Sequence, residues 1–181
     1  MHRRHTLASL GAVFFVSRAG ASSPREMSAE LRLLALKATP GSLGLDPSSF
    51  ARTAWGTVVD MSRAQGGTMI IACMAGGNTS IYFSEGGGVL GAGSNAAVAA
   101  SAAKLIDDAS SRLIDAPSSQ TTDLPPPGSV AFIGLFSSGR RRVTEAESVL
   151  ASGKSPFSQT YRLAQQVFAA VQKTQPASRA R

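Results

Sequence analysis

Two carboxylates, a glycine-rich stretch and a run of arginines are the parts of this chain that can do chemistry. Asp60 closes a strand-like run, and Glu85 opens a glycine turn. If both reach one end of a sheet they form an acid/base pair; if not, Asp60 starts a turn and Glu85 is solvated, the plainer reading. The segment from Ser80 to Asn95 holds five glycines between residues 86 and 93 and leaves through Ser94-Asn95 into an alanine-rich helix. Glycine is favoured where the backbone needs φ > 0 or is closely approached. A tight hairpin and an anion-binding loop share that need.

Two phosphate motifs are approached and missed. Gly86-x-Gly88-x-x-Gly91 has dinucleotide-fingerprint spacing, but a hairpin meander precedes it where a βαβ unit is required. Gly88-x-x-x-x-Gly93-Ser94 has the frame of a P-loop, with Ser94 where the phosphate-reaching lysine belongs. What survives is a set of backbone N–H groups at a helix N-terminus, able to hold a carboxylate or phosphate with help from the helix dipole. The candidate ligand-binding set is therefore Gly86, Gly87, Gly88, Gly91, Gly93, Ser94 and Asn95, with Asp60 and Glu85 beside them. The competing reading is a β-turn at Glu85-Gly86-Gly87 with close packing of the returning strand, and it is preferred.

Exclusions are firmer. His2 and His5 are the only histidines, so residues 23–181 offer no imidazole for a Ser-His-Asp or Cys-His mechanism, or for a metal. The single Cys73 rules out an intrachain disulfide and sits among Ile70, Ile71 and Met74, as a small buried residue would. No cofactor, metal or catalytic residue is assigned. Arg140-Arg141-Arg142, with Lys173, Arg179 and Arg181, can attract phosphate-rich partners, but no nucleic-acid motif accompanies them and only 6% of residues are aromatic. A solvated basic turn is the preferred reading, and nucleic acid is not an expected partner. Trp55 reads as core or interface.

The elements that must position these residues are well marked. Ser23-Pro24-Arg25-Glu26 is a capping box with proline at the first helical position. Met27, Leu31, Leu34 and Ala38 then form one face of a helix, stopped by Thr39-Pro40-Gly41. Strands follow at 54–61, 68–74 and 79–84, with a brief fourth at 88–91. Short loops between them imply an antiparallel meander. Residues 96–115 form a helix with Val98, Ala102, Leu105, Ile106, Ala109 and Leu113 inward, and Lys104–Asp108 and Asp108–Arg112 as i,i+4 pairs. A Ser/Thr/Pro-rich connection, 116–128, is extended and surface-lying. Strands at 129–136 and 141–145 precede a last helix after Ser155-Pro156. This order predicts one α+β domain at 23–174, an antiparallel meander sheet with helices covering one face in two layers.

At 181 residues the chain suits a single core. Its net charge is +7, of which residues 1–26 carry +3. The remaining +4 is mildly basic and suits solubility. No apolar run reaches the length of about 18 residues needed to span a membrane. Residues 1–22 read in two ways. Arg3-Arg4, the apolar stretch Thr6–Val16 and Ala19-Gly20-Ala21 have the layout of an export signal of twin-arginine type. Alternatively Met27 is the biological start, the protein stays in the cytoplasm, and the extension is an artefact. Residues 175–181 read as a basic disordered tail.

Trp55-Gly56-x-x-x-Asp60 together with Ser80-Ile81-Tyr82-Phe83-Ser84-x-Gly86-Gly87-Gly88-x-x-Gly91-x-Gly93 resembles a small family of bacterial proteins with no assigned activity, over residues 31–171. The resemblance implies no export signal, which favours Met27. The layout also resembles roadblock and profilin-like domains, although those place two strands before the central helix and three after. Such likeness carries no site. The expected function is a non-catalytic binding or interaction module that self-associates through a sheet edge or helix face. The runner-up is a small-molecule or phosphate-binding protein, enzyme or not, using the glycine segment.

Overall fold

The computed structural model describes residues 23–175. The two readings of residues 1–22 and the tail beyond Gln175 lie outside them. The first helix, α1 (Pro24–Lys37), begins with the expected capping box. Ser23 N donates to Glu26 Oε2 at 2.6 Å, and Glu26 N donates back to Ser23 Oγ at 3.3 Å. Strands β1 (Gly56–Ser62), β2 (Thr68–Met74), β3 (Asn78–Phe83) and β4 (Gly88–Val89) follow, then α2 (Ala96–Leu113). Strands β5 (Ser129–Phe136) and β6 (Gly139–Ala146) lead to a short α3 (Glu147–Ala151) and to α4 (Ser158–Thr174).

All six strands form one antiparallel sheet in the order β4-β3-β2-β1-β5-β6. The α+β class and the local meander expected from the sequence are thus present, with four strands before α2 and two after. β1 is the central strand, flanked by β2 and β5, and all seven of its residues are buried. A strand covered on both faces needs no polar alternation, and Val58 and Val59 point to opposite cores. Val59, Met61, Ile71, Cys73, Ile81 and Phe132 face α2 and α4, whose Val98, Leu105, Leu113, Ala164 and Val167 close the larger core. Val58, Ile70, Ala72, Tyr82, Ile133 and Leu135 face Ala35 and Leu36 of α1. The molecule therefore has three layers. The expected two-layer arrangement gains a further one because α1 packs on the face opposite α2 and α4. Trp55 belongs to the α1-side core.

The rotation of α1 about its axis differs from the reading of its apolar stripe. Its buried residues are Ser28, Arg32, Ala35 and Leu36. The stripe Met27–Leu31–Leu34–Ala38 lies on the flank instead, with Met27 53% and Leu34 65% exposed. On α2, Asn95 is the N-cap, accepting from Ala97 N and Val98 N at 3.0 and 3.3 Å. Of the two i,i+4 pairs, Asp108–Arg112 forms at 3.0 Å.

The glycine segment opens with a hairpin turn. Phe83 N donates to Gly87 O at 3.1 Å, and Gly86 N donates to Phe83 O at 2.8 Å. Gly87 holds φ +85° with open space around its Cα. Strain at this position therefore comes from the backbone alone, which a β-branched residue tolerates worst. Gly87→Val is expected to lower unfolding free energy by about 1–3 kcal/mol in urea titration. A variant as stable as the parent would show that the turn can relax to negative φ.

Candidate functional site

Asp60 does not lie at an open sheet end. It sits inside the α1-side layer, fully buried, opposite Ile70 on β2 and Ala131 on β5. Arg32, 4% exposed, reaches down from α1 to meet it. Arg32 Nε donates to Asp60 Oδ1 at 3.1 Å and Nη2 donates to Oδ2 at 2.7 Å, a two-pronged guanidinium–carboxylate pair. The guanidinium is then shared with the proline-rich connection. Nη1 donates to Thr122 O at 2.5 Å and Nη2 to Asp123 O at 3.3 Å. One side chain thus ties α1, the central strand and the connection together.

Burial raises the Asp60 carboxyl above its ordinary value, while the hydrogen bonds and charge of Arg32 pull it back. A general base needs reach to a substrate proton. Among the described residues, every hydrogen bond to the Asp60 carboxylate comes from Arg32. The arrangement is built to hold a helix in place.

Glu85 is elsewhere. It is exposed in the β3–β4 turn, and its carboxylate lies over Gly67 in the β1–β2 turn. No hydrogen bond joins it to Asp60. The two carboxylates do not converge: Glu85 is exposed at the turn, as the plainer reading has it, whereas Asp60 starts no turn and is paired with Arg32 in the interior.

The glycines are not gathered either. Gly86, Gly87 and Gly88 form the hairpin next to Pro24 of α1. The chain then returns along β3. Gly91 has φ +67° and precedes a 3₁₀ turn at Ala92–Ser94. Gly93 packs so closely on the carbonyl of Gly77, before β3, that no Cβ fits there. The two ends of the segment are separated by the length of β3, about 17 Å for six residues. Ser94 Oγ donates to Gly91 O at 3.2 Å, and Asn95 caps α2. Two of the free N–H groups at that helix end are thereby satisfied by the protein itself.

The arginine run is likewise engaged. Arg140 Nη2 donates to Gln120 O at 2.6 Å, Arg141 Nη1 to Ala116 O at 2.8 Å and Arg142 Nη1 to Asp123 O at 2.9 Å. Arg141 also lies over the Phe136 ring at 5.8 Å. Partial burial lowers the Arg142 pKa, with Asp60 opposing that shift. The expected solvated turn is instead a strand that fastens the connection to the sheet. Burial pushes the Cys73 thiol up to about 12, so it stays protonated and inert.

A hollow of about 490 Å³ between the start of α2 and the end of α4 brings Asn95 and Ser101 together with Gln166 and Lys173. Two other concavities lack convergent chemistry. A bowl of about 530 Å³ between α2 and the 75–77 turn holds one carboxylate, Asp107. A groove of about 310 Å³ above Arg32 is lined by Arg25, Ala29, Leu33, Thr122 and Leu124. No group of three or more metal-ligating side chains occurs among the described residues, and none of their helices is long and apolar enough to cross a membrane.

The feature missed by sequence reasoning is apolar. On the other flank of α1, Pro24, Met27, Leu31, Tyr82 and Leu90 line a groove of about 410 Å³. A second groove of about 340 Å³ continues it past Leu34, Ala38, Leu43, Met74 and Leu90. Met27, Leu34 and Leu90, at 60% exposure, stand around it. The signal was present as the Met27–Leu31–Leu34–Ala38 spacing, but periodicity does not say which way the stripe turns. Comparison with family models, curated proteins and solved structures finds no match.

Removing one partner of the buried pair strands the other charge. Arg32→Met alone and Asp60→Leu alone are each expected to cost about 3–5 kcal/mol, and the double variant to recover most of that. Glu85→Gln, by contrast, is expected to stay within about 0.5 kcal/mol of the parent. Denaturant unfolding of the four variants checks both; additive losses in the cycle would deny the coupling.

Proposed function

We propose that this protein is a non-catalytic interaction module that docks through the open flank of α1 and associates with itself there. One observation carries the reading: large apolar side chains stand exposed around a continuous groove whose walls contain no carboxylate, arginine or lysine. Scattered surface leucines are ordinary, but a contiguous apolar patch around a groove marks a place where something binds. The engagement of Asp60, Arg140, Arg141 and Arg142 within the protein supports the same reading, since it withdraws the residues best suited to chemistry or phosphate binding. The phosphate-binding alternative at Gly86–Asn95 gains no support from the separated glycines.

The test is the mass of the protein in solution. Sedimentation velocity across a concentration series is expected to show a reversible dimer. Leu34→Asp is expected to weaken it by about a hundredfold or more, because a charge must then be desolvated inside the contact. At concentrations where the parent is monomeric, unfolding of the variant should match it, since Leu34 is exposed in the single chain. A thermal-shift series with phosphate and nucleotides serves as the counter-test. A ligand at about a hundred times its Kd adds about 2.7 kcal/mol, and such a shift would favour the phosphate-binding alternative.

A further inference from the structure

The open flank of α1 has a second property, which rests on the docking reading above and goes beyond it. Its apolar stripe is bordered on the solvent side by Glu30 and Lys37, with Glu26 one turn before Glu30 and engaged in the capping box with Ser23. Glu30 and Lys37 are both exposed and lie seven residues apart, two helical turns along the same edge. Leu34, the most exposed large apolar residue of the stripe, lies midway between them in the sequence.

A twofold contact requires one patch to be complementary to itself. A helix edge reading acid–apolar–base meets that requirement only when paired with a copy running the other way. In a parallel pair, Glu30 would meet Glu30 and Lys37 would meet Lys37, and both contacts would repel. In an antiparallel pair centred beside Leu34, each Glu30 meets Lys37 of the second copy. The two copies of Leu34 then meet near the axis, and Leu31 lies on the apolar side of each stripe. The neighbouring groove supplies further apolar surface from Tyr82 and Leu90.

We infer that the occupant of the α1 flank is a second copy of this chain, packed α1 against α1 in antiparallel orientation, with Leu34 near the twofold axis and two symmetric Glu30–Lys37 pairs at its sides. Apolar contact holds the copies together, and the charge pairs set direction, as edge charges do between paired helices.

Charge exchange tests the arrangement without touching the fold, because both side chains are solvent-exposed. Glu30→Lys and Lys37→Glu are each expected to weaken self-association about tenfold at low salt, since each places like charges together at two symmetric points. The doubly exchanged chain, E30K with K37E, is expected to return to within about threefold of the parent. The losses should shrink as salt is added. A parent dimer sensitive to Leu34→Asp but indifferent to both single exchanges, or a double exchange that is not restored, would overturn the antiparallel arrangement and leave docking on this flank standing. A parent that stays monomeric at every concentration, or a dimer indifferent to Leu34→Asp, would overturn the docking reading itself.

Discussion

The buried Arg32–Asp60 pair decides how the rest of the α1 face is organised. Arg32 is the only link among the described residues that joins α1, the central strand and the connection through one side chain. Bringing both charges out of water is expensive, and the attraction between them offsets that cost only with good geometry and further hydrogen bonds. The two carbonyls from Thr122 and Asp123 supply part of what the guanidinium still needs. Such a pair contributes less to net stability than to choosing one arrangement over others. A helix packed by apolar contacts alone can rotate by tens of degrees with small loss. A helix whose arginine must meet a carboxylate cannot.

That constraint explains the misplaced stripe. An unconstrained α1 would turn Met27, Leu31 and Leu34 onto the sheet, where they would bury more apolar area. Instead Arg32 takes the centre of the buried face, with Ser28, Ala35 and Leu36 around it. The small residues Ser28 and Ala35 let the helix approach the sheet closely. Each exposed leucine forgoes about 1.5–3 kcal/mol of burial. The fold tolerates this loss while holding a costly ion pair that enforces it, which is consistent with the docking proposed for this flank.

The two sides of α1 are treated differently. Towards β5 and β6, the connection from Ala116 covers the sheet. It pairs with β6 through Ser118–Arg141, through Ser119 N to Arg140 O at 2.9 Å, and through Arg142 N to Pro117 O at 3.3 Å. This blunts an edge strand of eight residues that would otherwise offer free N–H and C=O groups. At the opposite edge β4 has only two residues, too short to template pairing. Towards β3 and β4, no segment among the described residues covers the groove beside α1. With both edges blunted, the helix flank is a better-provided contact surface than either sheet edge.

How much of this was legible follows from range. The capping box, the strands, the N-cap of α2 and its apolar stripe depend on neighbours within a few residues, and their spacing announces them. The Arg32–Asp60 pair spans 28 residues, and nothing local marks Arg32 among the charged positions of an amphipathic helix. Asp60 therefore read as a free carboxylate at a strand end. The glycine run misled for a related reason. Five glycines close in sequence suggested one loop, but an antiparallel return lays them along a strand, so that sequence proximity became separation. Short α3 escaped because it carries no side-chain cap and only one buried residue, Leu150. The layer count failed on α1 alone: a helix placed before a meander can pack on either face, and only the long-range ion pair, with its demand for the inward side of Asp60, selects between them.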